Sequence, residues 1–479
     1  MRDKLTEKSS GLFFTRFLIL LFLIYQNFGL RLIVEINWKV YFILLIVWFL
    51  VEIKIFYLNE KQYYFETFIF IGVIKVLLVL INSEFQDYAF YSPPDSQTYK
   101  SLAENIFECK KYSLNLDVLC IGEPYFKRGP TFAFVLTIFT LGGNLHASIF
   151  VLLQVLICAL TFNLILNEIL RYRFTIAIPI VFIMISINPL IWSFSRLILM
   201  ETLGSFLIVF SLVYSKNEKL NFKNNNIWLL NLLLSLFLNI HFFAVVFFFY
   251  LRYFLFKKNN FKFILMNFFI ISIVIFLWGL RSFQTTESWD FNPYTGCYLE
   301  KNIIESTEAQ KAGVSIYEIR NSGVTYKLLE DKNIVNQDKS PETCGEFLSI
   351  LPNYYLENFN EITKNYKNYF FKLFRNEQPC QYTEILCEKG YWFWLIGLSS
   401  KLLFIFSLLI SIIFARKKII YDILAYLGLL ILVTVLVTAD APRMRVIFEP
   451  FFYLIIGNGL SYVFEKINLT FRNLKHENT

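Results

Sequence analysis

Histidine is almost absent: three in 479 residues, His146, His241 and His476. That is too few for a histidine metal centre or a Ser-His-Asp triad. No P-loop, G-x-G-x-x-G, H-E-x-x-H or G-x-S-x-G pattern occurs, so nucleotide, dinucleotide, zincin and α/β-hydrolase chemistry lose their usual signatures. Charge is scarce as well, at 17% of residues against 56% hydrophobic. With a mean hydropathy of +0.51, that balance excludes an ordinary soluble domain. Internal repeats, low-complexity tracts and disordered linkers are also missing.

What is present is a series of apolar runs, each of about 17 to 22 residues, enough to cross a hydrocarbon core of about 30 Å. The first begins at Leu12, behind the short basic MRDKLTEKSS, with no small-residue cleavage site after it. It reads as a retained membrane helix. Others are centred on Leu45, Ile74, Leu156, Ile183, Ile208, Leu233, Phe248, Ile273, Phe404, Leu430 and Leu454. Leu233 and Phe248 could belong to one tight hairpin. The expected fold is an all-α polytopic membrane protein with about twelve transmembrane helices. Four regions follow: an N-terminal hairpin (1–63), a core (64–280) with its first outer loop at 83–145, a loop region (281–392) and a C-terminal part (393–479).

The net charge of +8 is distributed unevenly. Lys54, Lys61, Arg171, Arg173, Lys216, Lys219, Lys223, Lys257, Lys258, Lys262, Arg416, Lys417, Lys418, Lys466, Arg472 and Lys475 fall in alternate connections and the tail. The opposite short connections hold only Arg31, Lys39, Arg196, Arg443 and Arg445. This is a topology signal and not a nucleic-acid surface. It places both termini in the cytoplasm and both long loops outside a cell membrane.

Six of the seven cysteines lie in those two loops, Cys158 being the exception. Disulfides in an oxidising compartment explain an even number confined to one side, while free thiols remain the alternative. Cys109–Cys120 and Cys380–Cys387 each close a short loop, which leaves Cys297 with Cys344. In the first loop, Thr131 to Gly143 is apolar but too short to span and reads as a helix lying at the interface or dipping part-way in. In the second, Tyr355, Phe359, Ile362, Tyr366, Tyr369 and Leu373 form one face of an amphipathic helix whose other face carries Lys364, Lys367 and Lys372. Such a helix lies on the outer membrane surface, roofs the transmembrane core, or packs into the loop's own core.

Chemistry therefore falls to carboxylates and basic residues at the outer membrane edge. In YSPPDSQTYKSLAENIF, Asp95 opens a helical pattern in Tyr99, Leu102, Ala103 and Ile106. It is either a candidate general base or, with Ser92 at S-x-x-D spacing and Pro93 between, part of a helix cap. Glu201, in SRLILMETL, is read about a turn and a half below the outer edge of its helix, where a carboxylate must be paired or line a wet cavity. Arg128, Arg281, Arg443 and Arg445 suit a lipid phosphate, because guanidinium binds it bidentately and stays charged; snorkelling anchors are the alternative.

Several stretches together resemble the multi-pass glycosyltransferases of GT-C type that use polyprenyl-phosphate sugars, the group of protein O-mannosyltransferases and aminoarabinose transferases. PDSQTYKSLAENIFECKKYS is similar to their first-loop pattern, and KRGPTFAFVLTIFTLGGN to their R-x-P-x-x-P-x-x-L stretch. NPLIWSFSRLILMETLGSF resembles their proline-containing outer turn followed by an acid. LWGLRSF resembles a tryptophan–arginine pair ending a later span, and APRMRVIFEPFFYLIIG a final R-x-R-x-x-x-x-P helix start. The resemblance implies an inverting glycosyltransferase that moves a sugar from a polyprenyl-phosphate donor to a hydroxyl of a glycan, lipid or protein. Asp95 and Glu201 would be the catalytic pair, the four arginines would hold phosphate, and Tyr99 and Trp278 would line the cavity. Ser96 stands where many relatives carry a second acid, so neither metal nor cofactor is expected. The second proline after Arg128 and an asparagine after Arg281 are also missing. A lipid-linked glycan flippase and a glycan polymerase are the competing classes.

Overall fold

The computed structural model describes residues 60–81, 95–114, 129–141, 144–170, 177–188, 201–215, 222–255, 261–286, 299–315, 341–374, 401–410 and 441–477, with short pieces between them. Among these the regular elements are helices except for one small hairpin. The elements are α1 (Glu60–Ile81), α2 (Asp95–Cys109), α3 (Thr131–Thr137), β1 (Thr140–Leu141), β2 (Asn144–Leu145), α4 (Ala147–Leu170), α5 (Ala177–Ile187) and α6 (Glu201–Ser215). Next come α7 (Phe222–Leu238), α8 (Ile240–Leu255), α9 (Phe261–Thr286), a π-helical turn (Glu300–Glu305), α10 (Ser306–Ala312), α11 (Pro341–Glu357) and α12 (Phe359–Phe374). The chain ends with α13 (Lys401–Ile410) and α14 (Ala441–Glu477).

The apolar runs about Ile74, Leu156, Ile183, Ile208, Leu233, Phe248, Ile273, Phe404 and Leu454 each lie in a helix. Those about Leu12, Leu45 and Leu430 lie outside the described residues. Among the described residues, two helices are long and apolar enough to cross a membrane, Ile149–Ile169 in α4 and Lys262–Gln284 in α9. The second leaves Leu265, Phe268, Phe269, Phe276 and Leu277 exposed, a surface that hydrocarbon accommodates better than water.

One core holds the bundle together. α1 packs on α4, α4 on α6, and α14 runs against α4, α5 and α6. Gly72 lies directly on Val155, where a Cβ would collide, so α1 and α4 approach closely through a missing side chain. The α7–α8 segment folds back at Asn239: Trp228 near the start of α7 meets Tyr250 near the end of α8 at 5.6 Å between centroids. Below that contact, Asn225 and Asn267 exchange side-chain hydrogen bonds of 3.1 and 2.9 Å, and Asn267 also donates to the Tyr250 hydroxyl at 2.8 Å. Buried amides paired in this way fix the α7–α8–α9 register in a region where apolar packing alone is permissive.

Two sequence expectations about the loops change. The helix expected from Thr131 to Gly143 stops at Thr137, because the chain turns into the β1–β2 hairpin, pairing Thr140 with Leu145. The helix expected from Tyr355 to Leu373 breaks at Asn358, so Tyr355 belongs to α11 and Phe359 starts α12. The structure shows α12 packing into the loop's own core on one face and also against α14. Ile362 and Tyr366 join Ile304, Cys344, Phe347, Leu351 and Tyr354, while Lys364 and Lys367 stay exposed. Burial pushes the Tyr366 hydroxyl up to about 12. Tyr354 is raised by burial and by donating to Glu308 Oε1 at 2.6 Å.

Cys109–Cys120 and Cys297–Cys344 are disulfide-bonded, and Cys158 is a buried free thiol. Cys380 and Cys387 lie outside the described residues. With sequence separations of 11 and 47 between their cysteines, the two bridges stabilise by about 3 and about 4 kcal/mol in the chain-entropy picture. Reduction of the purified protein should therefore add at least the mass of four hydrogens, read by intact-mass spectrometry of denatured samples. An unchanged mass would mean that the loops carry no bridges.

Candidate active site at one end of the helix bundle

Asp95 stands in the first turn of α2; Ser92 and Pro93 lie outside the described residues. The helix buries Ser96, Tyr99, Leu102, Ala103 and Ile106, one face at three- and four-residue steps. Ser96 Oγ donates to the Ile198 carbonyl at 2.9 Å, and the Tyr99 hydroxyl lies 3.3 Å from Met200 Sδ. From the other side, Gln154 Nε2 on α4 donates to the Leu199 carbonyl at 2.9 Å. Side chains from two elements thus satisfy the backbone just ahead of Glu201.

That arrangement corrects the depth expected for Glu201. The residue is fully buried, but it begins α6 instead of lying a turn and a half along a helix. The chain bends over Leu197 to Met200, with Leu199 N–H donating to the Leu197 carbonyl at 2.8 Å. Carbonyls used by Ser96 and Gln154 there have no need of helical partners. Asp95 and Glu201 therefore each stand in the first turn of a helix, and Ser96 and Tyr99 tie the first of these helices to the turn that leads into the second.

A second group forms at the end of α9. The Arg281 guanidinium lies 4.7 Å from the Trp278 ring centre and 5.8 Å from that of Tyr112. Tyr112 also meets Trp278 at 6.4 Å, Tyr125 at 5.8 Å and Phe134 at 6.4 Å, and Trp278 meets Phe237 of α7 at 5.2 Å. Tyr112 is held in place locally. The Cys109–Cys120 bridge closes the loop around it, and its carbonyl accepts from the Tyr125 N–H at 2.9 Å. Asn105 Nδ2 donates to the carbonyls of Ser113 and Leu114 at 2.7 and 2.9 Å.

The short helix α3 joins the two groups. Phe132 packs edge-on against Tyr99 at 4.7 Å, while Phe134 stacks on Tyr112. Gly129, just before α3, sits against the Phe237 carbonyl with no room for a Cβ, which pins this segment to the end of α7. Arg128 itself lies outside the described residues. Arg443 and Arg445 fall in the first turns of α14, their side chains not among those described. The structure thus brings Asp95, Tyr99 and Glu201 into one group and Trp278 and Arg281 into another.

Four residues of this region were missed in the sequence. Glu449 is buried in α14, one turn beyond Arg445, and accepts from Asn188 Nδ2 at 3.2 Å. The same Asn188 amide donates to the Tyr453 hydroxyl at 2.6 Å. An acid inside an apolar run was a sufficient signal for Glu449, and the same rule covers Gln154 and Asn188. Tyr112 lies at the end of the PDSQTYKSLAENIFECKKYS stretch of the resemblance, but nothing in that stretch pointed to a contact with Arg281.

The segments that meet here are the start of α2, the turn before α6, the end of α7 and the end of α9. All belong to connections that the charge pattern assigns to the outside. Among the described residues no group of three His, Cys, Asp or Glu side chains is placed to hold a metal ion. Compared with known proteins, the chain matches no family model, no curated protein and no solved structure.

Proposed function

We propose that this chain is an inverting glycosyltransferase that moves a sugar from a polyprenyl phosphate to an acceptor hydroxyl at the outer face of a cell membrane. One observation carries the reading: the first loop, through α2 and α3, links the Asp95 and Glu201 helix starts to the Trp278–Arg281 pair. An acid that can take a proton and a cation that can take a phosphate are both needed for this reaction, and both stand at one end of the bundle. Asp95 takes the acceptor proton as the oxygen attacks the anomeric carbon. The bond to the phosphate oxygen breaks, and Arg281, with Arg128, Arg443 or Arg445, stabilises the departing lipid phosphate. Glu201 orients sugar or acceptor, and Tyr99 and Trp278 shape the cavity. Energy comes from the donor bond, so an outer site needs no nucleotide.

The direct test is incubation of the purified protein with a panel of polyprenyl-phosphate sugars and candidate acceptors, following free lipid phosphate. Transfer releases it in step with a glycosylated acceptor. A flippase would move the lipid across a bilayer with the sugar still attached, and a glycan polymerase would consume lipid-linked oligosaccharide instead.

This reading includes about twelve spans, both termini in the cytoplasm and both long loops outside. Lys367 in α12 and Lys466 in α14 are both exposed. A membrane-impermeant thiol reagent applied to intact cells should label Lys367→Cys and not Lys466→Cys. Labelling of Lys466→Cys would reverse the orientation and remove the active site from the outer face.

A further inference from the structure

Helix α11 has three faces instead of two. Cys344, Phe347, Leu351 and Tyr354 point into the core of the second loop. Ser349, Asn353 and Glu357 form an exposed polar edge. Between them, Leu348, Pro352 and Leu356 repeat every four residues and are also exposed, Leu356 at 77%. The stripe continues across the Asn358 break. Tyr355 meets Phe359 edge-on at 5.9 Å, and Phe359 is 54% exposed at the start of α12. Beyond it, Lys364 and Lys367 are exposed on α12. An apolar stripe with aromatic residues at one end and lysines beside it has the composition of a surface that lies at a membrane interface.

Its position fits the same partner. The Cys297–Cys344 bridge ties the first turn of α11 to a residue that follows the end of α9, at Thr286, by eleven positions (297 minus 286). α12 packs directly against α14, which carries the last apolar run. The stripe is thus joined by a disulfide to the chain that leaves α9 and, through α12, packs against α14. We infer that Leu348, Pro352, Leu356 and Phe359 rest on the lipid surface of the same membrane, with Lys364 and Lys367 meeting lipid phosphates. The second loop is then anchored at the bilayer beside the bundle end, whatever reaction occurs there.

The test uses the full chain in nanodiscs of mixed neutral and anionic phospholipid, with the unsubstituted chain as the labelling blank. An environment-sensitive fluorophore is attached at Leu356→Cys, at Asn353→Cys on the polar edge, or at Phe276→Cys on the exposed side of α9. The Leu356 label should be quenched by doxyl lipids, as at Phe276, and at least about twofold less by aqueous iodide, as expected for an apolar face sunk to the headgroup boundary. The Asn353 label should show the reverse. Quenching of the Leu356 label by iodide alone overturns the proposal. So does quenching by neither reagent with two chains per disc, which would assign the stripe to a second copy. A Phe276 label insensitive to doxyl lipid would instead remove the membrane reading itself, and this inference with it.

Discussion

Asp95→Asn should fold, insert and bind donor nearly as the parent does, yet transfer sugar at least roughly a hundredfold more slowly. The substitution separates the two roles open to this carboxylate. A cap contributes a helix-end hydrogen bond worth about 0.5 to 2 kcal/mol, and asparagine retains most of it because an amide oxygen still accepts. A general base must take up a proton, which an amide cannot do, and loss of that role typically costs roughly 10² to 10⁴-fold in rate. The structure makes the comparison clean. α2 is held by Ser96, Tyr99 and its buried face, none of which the substitution touches. Glu201→Gln should be milder, because an orienting group needs a hydrogen bond more than a charge. Near-normal turnover by Asp95→Asn would leave Asp95 as a cap and bring the transporter reading forward.

Arg281→Ala should lower kcat/KM for the lipid-phosphate donor by roughly 10² to 10³-fold, the usual cost of removing a group that stabilises developing negative charge. Arg281→Lys should recover only part of this. Lysine offers a point charge in place of the planar fork, and it stacks less well between Trp278 and Tyr112. Tyr112→Ala should weaken donor use less than Arg281→Ala, since it loosens the guanidinium without removing it. Steady-state rates at several donor concentrations, with free lipid phosphate as the readout, distinguish these outcomes. Full activity in both Arg281 variants would make the arginine a membrane anchor and place the phosphate elsewhere.

How much of this was legible beforehand depended on how local the cause was. The apolar runs about Leu156 and Ile273 lie in helices because twenty-odd apolar residues with few breakers have one good way to satisfy their backbone. The Cys109–Cys120 pairing follows from a short loop that keeps the two residues close. Asp95 opens a helix because the residues after it repeat at helical spacing. Trp278 and Arg281 lie near each other because three residues is less than one turn.

The failures share the opposite cause. Leu197 to Met200 reads as the continuation of a helix, and only the arrival of Ser96 and Gln154, about a hundred and about forty-five positions away, takes its carbonyls out of the helical pattern. The stretch from Tyr355 to Leu373 reads as one helix with one apolar face. Its break at Asn358 comes with a loop core that takes Ile362 and Tyr366 and leaves Phe359 outside. Tyr112 lies at the end of a stretch of the resemblance, yet its contact with Arg281 has no local mark, because it reaches that residue from another loop. By itself, then, the sequence determined the helical elements, their apolar faces, the alternation of basic connections and the types of residue available for chemistry. Which carboxylates and cations share one end of the bundle was decided by tertiary structure alone, since that depends on contacts between segments whose separation along the chain leaves no periodic trace.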